Sequence, residues 1–159
     1  MSKDFYVICD NIRSLYNVGS IFRTADALGV KKIYLCGITG TPLQKGLAKV
    51  ALGAEKSVSW EKVGQTWRVV EKLKRQGVQV VALEQTLGSI DVKRFKPIFP
   101  LALVLGNEVD GVAESVLKRT NGVVHIPMAG IKESLNVAVA FGIAGYEIIS
   151  GKVYKVQSL

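Results

Sequence analysis

Apolar residues in this chain occur as short unbroken runs, separated by stretches in which apolar positions recur every three or four residues. Residues 5–9, 33–36 and 101–105 form such runs, and 78–83 and 123–126 form others with one polar residue each, Gln79 and His125. Runs of four to six residues without polar alternation are the pattern of strands buried on both faces. Residues 17–28 have the other period. Ile21, Phe22, Ala25 and Leu28 share one helical face at 100° per residue, which leaves Arg23 on the opposite side. Asn17 is placed to cap this helix and Gly29 to stop it. Residues 65–76 predict a charged amphipathic helix ended by Gly77, and 134–149 a longer helix that is apolar or small on nearly every side, with Ser134 as its cap. Weaker patterns place a short helix at 45–52 and a short strand at 58–60, after a loop rich in Gly, Thr and Pro at 37–42.

Strands alternating with helices, most of the strands apolar on both faces, predict an α/β fold with a mostly parallel sheet flanked by helices. The chain has 159 residues, enough for one domain that buries roughly two thirds of its unfolded surface. Sheets of this kind bind ligands beyond the carboxyl ends of their strands. The loops after Cys9, Leu105 and Ile126 are therefore where chemistry is expected.

Composition narrows the candidates. With 48% hydrophobic and 21% charged residues the chain is expected to fold throughout. Its 21 Lys and Arg against 13 Asp and Glu give a formal charge of +8, which favours polyanions and puts nucleic acid first among partners. Cys9 and Cys36 are too few for a disulfide framework and each ends a predicted strand, which fits a reducing, cytoplasmic setting. The amino terminus lacks an apolar leader. The longest apolar run, residues 137–146, falls well short of the roughly 18 residues that suggest a membrane span. Neither a Gly-x-Gly-x-x-Gly run nor a Gly-x4-Gly-Lys-Ser/Thr loop is present. One histidine, His125, and two distant cysteines offer no zinc spacing, so no metal is expected.

Three segments carry candidate chemistry. The first holds Asn17, Gly19 and Arg23, where helix-terminal N–H groups and a guanidinium could bind an anion, or where Asn17 simply caps and Arg23 simply faces water. The second is Gly106, Asn107, Glu108, Val109, Asp110 and Gly111. Here an acidic residue lies between glycines that would let backbone approach a ligand. The third runs from Ile126, Pro127 and Met128 to Ser134, Leu135 and Asn136. Polar groups in the first turn of so apolar a helix are costly without hydrogen-bond partners, and a ligand is one such partner.

In this order and near this spacing, the three segments resemble the motifs of the SpoU-type (TrmH-like) RNA ribose 2′-O-methyltransferases, a branch of the SPOUT superfamily. The resemblance spans nearly the whole chain, read as one methyltransferase domain with no appended RNA-binding domain. It implies a carboxyl-terminal trefoil knot and a homodimer formed through that region. It also implies methyl transfer from S-adenosylmethionine to a ribose 2′-hydroxyl of tRNA or rRNA. By the same resemblance Arg23, Asn17, Glu108, Ser134 and Asn136 are catalytic, with Glu108 orienting Arg23 or Asn17. Leu83, Gly106, Ile126, Met128 and Leu135 hold the cofactor. Arg13, Arg23, Lys45, Lys49 and Lys132 are candidate phosphate contacts, each equally readable as a solvated charge. The alternatives are a non-catalytic RNA-binding dimer of the same fold and a base rather than ribose methyltransferase.

Overall fold

A computed structural model of the chain describes residues 3–150. Seven strands, β1 (Phe5–Asp10), β2 (Lys32–Cys36), β3 (Ser59–Val63), β4 (Gln79–Leu83), β5 (Ile90–Asp91), β6 (Leu101–Leu105) and β7 (Gly122–His125), form one sheet in the order β3-β2-β1-β6-β4-β7-β5, every neighbouring pair parallel. The helices are α1 (Leu15–Ala27), α2 (Leu47–Ala51), α3 (Ala54–Ser57), α4 (Thr66–Arg75), α5 (Glu114–Leu117) and α6 (Val137–Ser150). The expected α/β architecture is present. α3, α5 and β5 are additions of two to four residues, too short to impose a period on the sequence.

The sheet separates two cores. On one face Ile21, Phe22 and Ala25 of α1 and Phe141, Ala144 and Ile148 of α6 pack over Val7, Leu35 and Leu103. On the other, Val69, Val70 and Leu73 of α4, with Val116 of α5, cover Ile8, Val80, Ala102 and Val104. All five residues of β6 are buried, as a continuous apolar run predicts for a central parallel strand.

Both helix starts differ from the expected ones. Ser14, not Asn17, caps α1: its hydroxyl accepts the Asn17 N–H at 3.2 Å. α6 begins at Val137 rather than Ser134, and Asn136 caps it, its Oδ1 accepting the N–H groups of Ala138 at 2.9 Å and Val139 at 3.3 Å. Ser134 lies in the exposed loop before the helix.

The strand order has one consequence for function. β6 pairs with both β1 and β4, and β4 with β7, so the loops after β1, β6, β4 and β7 leave the same edge of the sheet side by side. Segments 100 residues apart in sequence meet there.

Candidate active site

The loop after β6 closes on itself before it presents anything. Asn107 and Gly111 exchange both backbone hydrogen bonds, at 3.0 and 2.9 Å, while Asn107 Oδ1 accepts the N–H groups of Val109 and Asp110. Asn107 Nδ2 donates to the Asn11 carbonyl at 2.6 Å, fastening the loop to the end of β1. The two flanking glycines serve this closure. A Cβ on Gly106 would stand 2.4 Å from the Val112 nitrogen, and Gly111 has a φ of +70° with Glu84 Oε2 where its Cβ would be. Their fit is to the chain's own atoms rather than to an approaching ligand. Gly19 is likewise a packing residue, since a Cβ there would press on Val50 where α1 crosses α2.

From this loop a chain of hydrogen bonds joins all three motifs. Glu108 accepts the N–H groups of Arg13 and Ser14 and the side-chain amide of Asn17, each at 3.0 Å. A carboxylate is acceptor-only when ionised, so Asn17 must turn its Nδ2 toward it and its Oδ1 away. That Oδ1 accepts from Asn136 Nδ2 at 3.0 Å, and the remaining Asn136 oxygen is the one that caps α6. Burial works to raise the pKa of Glu108, but the bonds from Arg13, Asn17 and Ser14 outweigh it and hold the carboxyl below its ordinary value. Of the two partners expected for Glu108, the structure supplies Asn17.

Beside this chain opens a cavity of about 470 Å³ at the ends of β4, β6 and β7. Leu83, Gly106, Ile126, Met128 and Leu135 all line it, as do Glu108, Ser134 and Asn136. Asn17, only 6% exposed, stands behind the wall and reaches it through its two hydrogen bonds. Arg23 does not line the cavity. It faces solvent from α1, six residues and roughly 9 Å along the helix axis from Asn17. Arg13 lines a separate cavity, and Lys45, Lys49 and Lys132 are exposed and line neither one, although Lys132 adjoins Glu133 at the wall of the first.

The structure also brings in residues that carry no local signal. Glu84 and Gln85 follow β4, where Glu84 accepts the Val112 N–H at 3.0 Å and Gln85 Nε2 donates to the Ile126 carbonyl at 3.0 Å, so together they tie the loops after β6 and β7. The strand-end rule covers this loop too, but its acidic residue, Glu84, is not set between glycines as Glu108 is. His125 also lines the cavity, with its Nδ1 2.8 Å from Ser89 Oγ. Among the described residues no cluster of His, Cys, Asp and Glu could hold a metal ion.

The model of the SpoU rRNA methylase family matches residues 4–146, a span that contains every motif and strand just described. The chain belongs to the SpoU rRNA methylase family. A tRNA (guanosine(18)-2′-O)-methyltransferase of Aquifex aeolicus is 34% identical over 147 residues, covering 91% of this chain and 68% of the relative. The AdoMet-bound rRNA methyltransferase of Sinorhizobium meliloti superposes with a TM-score of 0.88 at 29% identity, over 97% of this chain and 59% of that one. A structure described as giving insight into 2-OH methylation of C/U34 on tRNA matches at a TM-score of 0.82 and 28% identity, over 92% of this chain and 94% of its own. The chain spans between 58% and 68% of the length of three curated relatives that it matches. In this SpoU-family chain the three motifs form adjoining parts of one site, and Glu108, Asn17 and Asn136 join them.

Proposed function

We propose that this chain is an S-adenosylmethionine-dependent RNA methyltransferase acting on a ribose 2′-hydroxyl of tRNA or rRNA. The observation that carries the proposal is the hydrogen-bond chain from Glu108 through Asn17 to Asn136 at the wall of the strand-end cavity. It is supported by the activities named for the Aquifex relative and the Sinorhizobium neighbour.

The cavity fits the cofactor in kind. At about 470 Å³ it has room for a nucleoside with a short polar chain. Leu83, Leu105, Ile126 and Leu135 offer apolar walls for an adenine ring, and the loop backbones around Gly106 and Met128 offer hydrogen bonds. When bound, S-adenosylmethionine would supply a sulfonium methyl that a ribose oxygen takes by in-line attack, the C–S bond breaking as the O–C bond forms and S-adenosylhomocysteine leaving as the neutral thioether. The protein's part is to place that oxygen. Ser134 and Asn136 hold polar groups at the cavity, with Asn136 fixed in direction by Asn17 and Glu108. A guanidinium stays protonated, with a reference pKa above about 12, so Arg23 is a poor base by itself. Facing solvent, it is placed to meet an RNA phosphate, which would orient the hydroxyl and accept or relay its proton.

The chain is further read as a cytoplasmic homodimer whose carboxyl-terminal part threads a trefoil knot. Val139, Ile143 and Tyr146 support the dimer: they lie on one face of α6 and are 51%, 45% and 63% exposed, a surface too apolar for water alone. No helix among the described residues is long and apolar enough to cross a membrane.

The test is tritium transfer from labelled S-adenosylmethionine into bulk RNA from cells lacking this protein, followed by nucleoside analysis. A labelled 2′-O-methyl nucleoside is the expected result. Label in a base would assign a different methylation. No transfer together with no cofactor binding by calorimetry would favour a non-catalytic RNA-binding dimer.

A further inference from the structure

Positive charge is not spread evenly over this molecule, and a dense part of it lies on a face that the site does not use. α4 presents Arg68, Lys72 and Arg75 at spacings of four and three residues, so all three project from one exposed stripe. Lys118 and Arg119, just past α5, lie alongside: Arg119 Nε pairs with Glu71 at 3.0 Å, and Lys74 Nζ donates to the Arg119 carbonyl at 2.8 Å. Three carboxylates stand near these six basic side chains: Glu71, which pairs with Arg119, Glu61 of β3, which interacts electrostatically with Lys72, and Glu114 at the start of α5. Trp67 stands at the head of the stripe, its ring centroid 5.3 Å from the guanidinium of Arg68 and 5.2 Å from that of Arg119. Arg119 is thus engaged by Glu71, the Ser115 carbonyl and Trp67. Lys72, Arg75 and Lys118 make no ion pair or side-chain hydrogen bond with any described residue, and like charges so close repel one another unless an anion intervenes.

Two features connect this ridge to the site. Asp10, 2% exposed at the end of β1, accepts the Thr66 hydroxyl at 2.5 Å and the Ala113 N–H at 3.0 Å, which ties the amino-terminal ends of α4 and α5 to the edge of the sheet that bears the cofactor cavity. Beside Asp10 lies a second cavity of about 490 Å³, lined by Arg13, Ile38 and Asp110 and sharing Asn107 and Gly111 with the first. α4 and α5 cover the opposite side of the sheet from α1 and α6, so a partner seated on α6 leaves the ridge open.

We infer that the α4–α5 ridge is the docking surface for the phosphate backbone of the RNA substrate, gripping it beyond the second cavity from the reacting ribose. The inference rests on the RNA methyltransferase reading for its choice of polyanion. It places the main grip on Arg68, Lys72, Arg75 and Lys118 rather than on Lys45 and Lys49, which lie at α2 on the other side of the sheet. Phosphate contacts of this kind release counterions, so binding weakens with salt by a slope of about 0.7 to 0.9 per contact.

The experiment compares the full chain with the variant Arg68→Gln/Lys72→Gln/Arg75→Gln, whose changes are exposed and compatible with a helix, and with Lys45→Gln/Lys49→Gln. Filter binding of end-labelled bulk RNA is read across a salt series, and methyl transfer is read as KM and kcat. The triple variant should bind about ten-fold more weakly near 0.1 M salt, with its salt slope reduced by about 2 to 3, while cofactor affinity and kcat stay unchanged. The α2 variant should change binding less. A triple variant whose RNA affinity and slope remain within two-fold of the parent would overturn the inference, and would leave the ridge to a protein partner. If the parent binds RNA through the ridge but transfers no methyl group, the ridge stands and the catalytic reading falls. If the parent methylates RNA and the triple variant matches it, the reverse holds.

Discussion

The Glu108 carboxylate takes two backbone amides and one side-chain amide, and each of these bonds favours its ionised form. Its folded pKa is depressed, so the stability it contributes is fully present above its ordinary value of about 4.5 and is lost as pH falls through the lower folded value. Glu108→Gln should therefore lower the urea midpoint at pH 7 and flatten its decline between pH 5 and 3; a parallel decline in the two proteins would remove Glu108 from this role. Arg23→Ala should abolish methyl transfer and leave cofactor binding by calorimetry unchanged, because Arg23 lies outside the cavity. Normal turnover would refute its assignment. Burial pushes both cysteine thiols up, Cys36 to about 12 and Cys9 well above its usual range. Neither should react with iodoacetamide at pH 8 until the chain is unfolded, as mass spectrometry can show. At this scale the outward direction of Arg23 was legible, since helical periodicity alone places it. The use of Asn17 was not. Its local surroundings suit a cap, and what binds it instead is a carboxylate 91 residues away.

At the scale of the element, α6 shows how a tertiary contact selects among equivalent local choices. Ser134 and Asn136 are both good capping types, and sequence pattern cannot rank them. The bond from Asn136 Nδ2 to Asn17 holds Asn136 at the helix start and leaves Ser134 in the loop beside the cavity. The two duties of Asn136 can be separated. Asn136→Ser should keep most of the cap yet lose the link to Asn17, so that turnover falls while the thermal midpoint moves little. Asn136→Ala should lose both, at about 1 kcal/mol in stability. Equal turnover in the serine variant and the parent would show that the link has no catalytic use. The helices α1 and α4 were legible because each repeats its period several times, and β1 and β6 because each is a continuous apolar run. β5 and α5, two and four residues long, never complete one.

For the whole molecule, the proposed dimer makes a separate prediction. Ile143→Glu on α6 sets a charge on its exposed apolar face without touching the cavity. Sedimentation should show monomer for the variant and dimer for the parent; a parent that sediments as a monomer at micromolar concentration would end the dimer reading. The sequence by itself determined the kinds of element, the continuous burial of the strands, the excess of positive charge and the chemical types in each motif. These depend on side chains and on periods of a few residues, which local sequence records directly. Only the tertiary structure decided that β6 lies between β1 and β4, that Glu84 and Gln85 join the site, and that Glu108, Asn17 and Asn136 form one chain. The backbone hydrogen bonds that pair strands are the same for every residue type. Which strands become neighbours is therefore settled by how the whole chain buries its apolar faces, and the site assembles where that order brings the loops together.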